Sequence, residues 1–106
     1  MNQSTHRVIA TRRLSYKAKN NLTSRQFKIC ISEPFLLTAE LVDFPYAEGA
    51  AGCIVSFDGF PEKEQTVVGG DTFQALELAV NSVESTLRRL NKKYHFYFED
   101  DLYFDE

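Results

Sequence analysis

The amino-acid sequence predicts an α+β fold, an antiparallel sheet of four to six strands covered on one face by one long amphipathic helix at about residues 71–91 and followed by a final strand. Three patterns predict it: apolar and polar residues alternate through the first two thirds of the chain, a helical period follows Gly69-Gly70, and alternation returns after the helix. Strands followed by one helix are typical of this class. A chain of 106 residues fits one core, so one domain is expected over residues 1–106.

The first two strands are predicted as a hairpin. The stretches HRVIATRRLSYK and RQFKICISE alternate, and Asn20-Asn21 between them suits a turn. The predicted inward residues are Val8, Ala10, Leu14, Tyr16, Phe27, Ile29 and Ile31. Pro34 ends the second strand because proline has no amide donor. Residues 37–44 are predicted as a further strand, with a short irregular crossing as the alternative.

The stretch CIVSFDGFPEKEQTVV predicts two more strands joined near Asp58-Gly59. Cys53, Val55 and Phe57 should face one side of the sheet, with Ile54 and Ser56 on the other.

The helix has the clearest boundaries in the sequence. Asp71 is a favourable N-cap, and Gln74 stands where a capping box places its second member. Asn91 is predicted as a left-handed C-terminal cap. The apolar positions follow a helical period and are predicted to face the sheet; they are Phe73, Leu76, Val80, Val83, Leu87 and Leu90.

Composition argues against most catalytic and metal-binding functions. His6 and His95 are isolated, Cys30 and Cys53 match no zinc spacing, and the acidic run after Phe98 lacks the glycine of a calcium loop. At Gly69-Gly70 the Asp71 carboxylate would repel a phosphate. We therefore expect no catalytic residues, no metal site and no cofactor, and predict that the protein is not an enzyme.

The chain is predicted to be cytoplasmic. No window approaches eighteen consecutive apolar residues, and the polar start MNQSTHRVIATRR lacks the apolar segment of a signal peptide. No membrane partner is expected. Both cysteines lie in apolar stretches and are predicted to be buried free thiols.

Charge is segregated along the sequence. Residues 1–33 carry seven Lys or Arg and one acidic residue, Glu33, whereas residues 34–87 carry nine acidic residues and one lysine. The basic residues of the first hairpin could grip nucleic acid, and they are Arg7, Arg12, Arg13, Lys17, Lys19, Arg25 and Lys28. Because the chain as a whole carries a net charge of −3, nucleic-acid binding is not the favoured function.

The chain ends in YHFYFEDDLYFDE, which contains six aromatic residues and five carboxylates. Its first half alternates and is predicted as the final strand, with a turn at Glu99-Asp100-Asp101. In one interpretation the aromatics fill the core and the carboxylates are solvated. In the other, exposed residues form a partner-binding patch. That patch would consist of Tyr97, Glu99, Asp100, Asp101, Tyr103, Asp105 and Glu106.

Residues 70–79, GDTFQALELA, together with the preceding Gly69, resemble the G-x-D-x-x-Q-A-L-x-L-A helix signature of a family of small uncharacterised bacterial proteins. Cys53 and Asp58-Gly59 fit the same order, and the similarity extends over about residues 50–92. The resemblance implies the fold and a bacterial origin, and that family has no established activity to transfer. By type, the chain also resembles the immunity proteins of contact-dependent growth inhibition toxin systems.

Together these observations predict a binding protein, most specifically an immunity protein that neutralises a cognate toxin, such as a nuclease, that has a basic surface. The free protein should be a monomer or weak dimer. One alternative is a non-catalytic structural or regulatory homo-oligomer, and another is nucleic-acid binding through the basic hairpin.

Overall fold

The computed structural model describes residues 6–104 and confirms the α+β prediction. Within these residues there are seven strands and one helix, so the sheet is one strand larger than the predicted upper limit. Two strands rather than one follow the helix. The elements are β1 (Val8–Ala18), β2 (Arg25–Ser32), β3 (Phe35–Leu36), β4 (Ala51–Asp58), β5 (Gln65–Gly69), α1 (Thr72–Leu90), β6 (Tyr94–Phe98) and β7 (Asp101–Leu102).

All neighbouring strands are antiparallel, in the order β3-β4-β2-β1-β6-β7, with β5 also paired to β4. The predicted hairpin of β1 and β2 is confirmed, with Leu14 opposite Phe27. The short strand β3 pairs with Ala51 and Gly52 while β2 pairs with the other half of β4. The chain therefore pairs with β4 on both sides of Pro34, through β2 before it and through β3 from Phe35 onwards.

The helix packs on the face of β4 and β5. Cys53, Val55 and Phe57 of β4 face it, as their alternation predicts, and both cysteines are buried free thiols. The buried helical residues are Ala75, Ala79, Val83, Thr86, Leu87 and Leu90. At the start of the helix the contact is close, because a Cβ placed on Gly69 would lie 2.5 Å from the Ala75 nitrogen. A glycine in β5 and small residues on the helix thus allow the two backbones to approach.

The predicted N-terminal cap of the helix is confirmed, and the predicted left-handed C-terminal cap is not. Asp71 is the N-cap, and its Oδ1 accepts a hydrogen bond from the Gln74 amide at 2.7 Å. Gln74 Oε1 in turn accepts from the amide of Gly70 at 2.6 Å, one residue before the position expected for a capping box. The prediction of a left-handed Asn91 is wrong: its φ is −63°, and its amide donates to the Arg88 carbonyl in a tight right-handed turn.

The prediction of which helical residues face the sheet is partly wrong. The side chain of Phe73 is 78% exposed and that of Val80 is 52% exposed, whereas Ala75 and Ala79 face the sheet. The close contact at Gly69 turns the small residues inward, and this rotation carries Phe73 and Val80 to the rim.

Two further strand predictions need correction. Residues 37–44 form turns rather than a strand, with the amides of Leu41 and Val42 both donating to the Thr38 carbonyl. Val8 and Ala10 were predicted to face inward into the core, but both are exposed. The helix covers β4 and β5 and leaves the first half of β1 without a cover.

Substitutions on the two helix faces should separate the observed packing from the predicted stripe. Leu87→Ala should lower the free energy of unfolding by about 2–5 kcal/mol, because Leu87 is fully buried and its truncation leaves a cavity. Phe73→Ala should change it by no more than about 0.5 kcal/mol, since that ring is mostly in solvent. Urea titration followed by circular dichroism measures both, and equal losses would contradict the observed rotation of the helix.

Candidate functional site

The C-terminal hairpin positions the residues that the sequence singles out. Phe98 pairs with Asp101 and Tyr97 pairs with Leu102, so Glu99 and Asp100 are the two residues of the turn. Glu99 has a φ of +58°, the left-handed region that a side chain rarely adopts. We call Glu99, Asp100 and Asp101 the acidic tip.

The acidic tip is exposed and forms no ion pair with the described part of the chain. All three residues are exposed, and among residues 6–104 no Lys or Arg nitrogen lies within 4.0 Å of their carboxylates. Beside them Phe98 is 47% exposed and Leu102 is 49% exposed. One hairpin therefore carries three negative charges beside two apolar side chains, with Phe98 on the helix side and Leu102 on the opposite face.

Sequence reasoning missed Phe98 and Leu102 as surface residues. The alternation of β6 groups Phe98 with Phe96, which is buried. Pairing between β1 and β6 ends at Ser15 and Tyr97, however, so Phe98 lies beyond the sheet that would cover it. The alternation of β6 does not show where its pairing with β1 ends, and this end point determines that Phe98 is exposed.

The two tyrosines of the predicted patch lie on opposite faces of the sheet. Tyr97 is half-buried on the face away from the helix, with the Lys17 ammonium 5.7 Å from its ring centroid. Tyr103 continues the β6–β7 pairing, because its amide donates to the Phe96 carbonyl at 2.8 Å, and it lies on the helix side. The structure thus brings the acidic tip together but separates the tyrosines. Asp105 and Glu106 lie outside the described residues.

Tyr103 joins three elements. Arg12 Nη1 of β1 donates to the Tyr103 hydroxyl at 2.8 Å, and that hydroxyl donates to Glu84 Oε1 of the helix at 3.1 Å. The Arg12 guanidinium also lies 5.8 Å from the Phe98 ring centroid and 5.9 Å from that of Tyr103. We call this contact the Arg12–Tyr103–Glu84 bridge. It ties the hairpin to the sheet and to the helix.

The cations of the first hairpin do not share one surface. Arg12 is on the helix side, whereas Lys17 is on the other face beside Tyr97. Lys28 lies 3.7 Å from an Asp58 oxygen and Arg7 lies 3.9 Å from one of Glu33. On the face away from the helix, a groove of about 500 Å³ has mixed charge, with Arg13 and Lys28 opposite Asp58 and Glu99.

The cysteines have the environment of structural residues. The Cys53 thiol donates to the Ser32 carbonyl at 3.2 Å. Burial raises the pKa of this thiol, and a hydrogen bond with Ser32 lowers it by less. A buried thiol with a raised pKa is a poor nucleophile. In residues 6–104 no cluster of three His, Cys, Asp or Glu side chains could hold a metal ion. The helix of this part of the chain is not long and apolar enough to cross a membrane.

No protein-family model, curated protein or solved structure matches the chain. The family resemblance at residues 70–79 therefore stays a prediction, and the candidate site rests on its own geometry.

Removing the Tyr103 hydroxyl should weaken the attachment of the hairpin. Tyr103→Phe should lower the free energy of unfolding by about 1 kcal/mol, because it deletes the hydrogen bonds to Arg12 and Glu84 in a partly exposed position. The matched control is Tyr97→Phe, because the hydroxyl of Tyr97 has no hydrogen-bond partner among the described residues. Thermal unfolding of both variants measures the difference. An identical effect of the two substitutions would contradict a stabilising bridge.

The left-handed backbone at the turn predicts a stabilising substitution. Glu99→Gly should raise the free energy of unfolding by up to about 1 kcal/mol, because glycine adopts a φ of +58° without steric cost. Asp100→Gly is the control and should not stabilise, since Asp100 has no positive φ. Chemical denaturation compares them, and a destabilised Glu99→Gly protein would show that the Glu99 side chain contributes more than its backbone strain costs.

Proposed function

We propose that the protein acts by binding a basic partner protein through the acidic tip and, most specifically, that it is a cytoplasmic immunity protein that neutralises a cognate bacterial toxin. The observation that carries the proposal is the cluster of three exposed carboxylates without a cation partner in the described part of the chain, flanked by exposed Phe98 and Leu102.

Charge and apolar area at the tip have complementary roles in such a complex. Clustered carboxylates steer a basic protein towards the site and raise the association rate. Phe98 and Leu102 lie on opposite faces of the hairpin, and burial of either one against a partner would slow dissociation, because apolar side chains at the centre of an interface lose contact with water. A nuclease toxin suits this surface, since its active site must hold phosphate groups and an inhibitor can present carboxylates there.

Preorganisation of the hairpin supports the same proposal. Pairing of β6 with β1 attaches one side of the hairpin to the rest of the fold, and the Arg12–Tyr103–Glu84 bridge and the buried Phe104 ring attach the other. A tip that is already ordered loses less conformational entropy when it binds. The basic hairpin is a weaker candidate for nucleic acid because its cations are divided between two faces and two of them, Arg7 and Lys28, lie within 4.0 Å of carboxylates.

A second candidate, self-association, is favoured by Phe73 and Val80, which are exposed on the helix. Sedimentation of the free protein at several concentrations distinguishes the candidates. A homo-oligomer must show a larger mass as concentration rises, whereas an inhibitor that acts as a monomer need not.

Co-purification from the source organism tests the proposed function, followed by charge reversal in the recovered complex. Asp100→Lys with Asp101→Lys should weaken binding of the partner at least about tenfold and reduce its salt dependence, because attraction becomes repulsion at the tip. The melting temperature of the free protein should change little, since both residues are exposed.

The matched control for net charge is Glu48→Lys with Glu64→Lys, two exposed acidic residues in other loops. This control should bind nearly as well as the unaltered protein. Unchanged affinity of the tip variant would remove the tip from the interface. Equal loss in both variants would mean that overall charge, not this site, governs binding.

A further inference from the structure

The outer edge of β1 has no strand beside its first half in the described part of the chain. β6 pairs with β1 only from Ser15 to Ala18. The Lys19 amide donates to the Lys93 carbonyl, and the peptide groups of an antiparallel strand point to alternate sides, so those of Thr11 and Arg13 point outward as well. No backbone partner among residues 6–104 meets them. They form a short row of available donors and acceptors.

An apolar groove lies directly beneath this edge. It has a volume of about 390 Å³ and lies between β1, β2 and the helix. Its apolar lining consists of Ala10, Ile29, Ile31, Val80 and Val83. Arg12, Tyr103 and Glu84 also line it, so the polar bridge described above lies beside the apolar surface. The groove exists because the helix sits over β4 and β5 rather than over β1.

We propose that the edge of β1 at residues 10–13 binds an extended segment of a partner protein as an added strand, with an aliphatic side chain in the groove and an acidic residue beside Arg13. Main-chain hydrogen bonds to Thr11 and Arg13 would supply the pairing, and the groove would supply side-chain selectivity. This surface adjoins the acidic tip, since Arg13 and Glu99 line one groove, but strand addition at β1 does not depend on the proposed function.

Charge favours an acidic segment as the occupant. The Arg13 guanidinium is exposed and has no carboxylate within 4.0 Å among the described residues. In an added strand the residue opposite Arg13 points to the same face, where a carboxylate would pair with it. Residues opposite Ala10 point to the other face and into the groove.

A second copy of this chain fits the edge less well. A two-fold pairing that joins the outward peptide groups of Thr11 and Arg13 would place Arg12 of each copy opposite Arg12 of the other. Like charges directly opposite one another destabilise a strand pair. The irregularity in the β1–β2 register between Val8 and Ala10 also limits regular pairing at this end, which suits a short segment.

Hydrogen exchange measured by NMR gives the first test. The probe is a short blocked peptide of alternating valine and serine in which one serine is replaced by glutamate. In the free protein the amides of Thr11 and Arg13 should exchange faster than those of Arg12 and Leu14, which point to β2. Saturating peptide should slow exchange at Thr11 and Arg13 at least about tenfold, because each amide gains a hydrogen bond. Slowing elsewhere, or none, would overturn the proposal.

Substitutions test the geometry in the same binding assay. Thr11→Pro should weaken peptide binding more than about tenfold, because it removes an outward amide that does not serve the β1–β2 ladder. Thr11→Val is the matched control and should bind normally. Melting curves verify that both variants are folded.

Arg13→Glu keeps the test decisive if Thr11→Pro does not fold. This substitution should lower the affinity for the glutamate peptide by about fivefold or more. It should raise the affinity for the peptide with lysine in place of that glutamate, because the favoured charge is reversed. Equal binding of both peptides to both proteins would overturn the assignment of Arg13. Concentration-dependent dimerisation that Thr11→Val preserves and Arg12→Ala strengthens would assign the edge to a second copy and overturn the partner segment.

Discussion

The close contact between the start of the helix and β5 at Gly69 determines much of the remaining surface. A Cβ on Gly69 would collide with the backbone at Ala75, so glycine permits the helix to lie at this distance and angle. Ala75 and Ala79 then face the sheet, and Phe73 and Val80 turn to the rim. Because a single helix of this width covers β4 and β5, the first half of β1 remains open. The groove beneath its edge is a direct consequence.

The end of the chain compensates for part of this incomplete cover. Phe104 is buried, and Tyr103 links Arg12 of β1 to Glu84 of the helix, so the hairpin closes one side of the space that the helix leaves. The tip beyond these contacts carries exposed charge and a residue with positive φ. Because both ends of the hairpin are fixed, the acidic tip is ordered although it is exposed. This order lowers the conformational entropy that the tip loses when it binds a partner.

Local rules predicted the features that local interactions determine. Alternation identified the hairpins and the two faces of β4, and the capping preference located Asp71 as the start of the helix. The rotation of the helix depended instead on a backbone contact with another strand, which periodicity does not contain. At the site, the acidic run predicted the turn, but the role of Tyr103 rests on Arg12, a residue 91 positions away. Contacts of this range are properties of the folded chain.

The acidic tip and the edge of β1 lie close enough to restrict each other's partners. Glu99 and Arg13 line the same groove, so a strand added to β1 would run towards the tip. A carboxylate placed opposite Arg13 is attracted, whereas a further carboxylate displaced towards Glu99 would be repelled. The favoured segment therefore has its acidic residue at one position and a neutral or basic residue on the side nearest the tip. The folded arrangement of two opposite charges thus specifies a pattern in the partner that neither charge specifies alone.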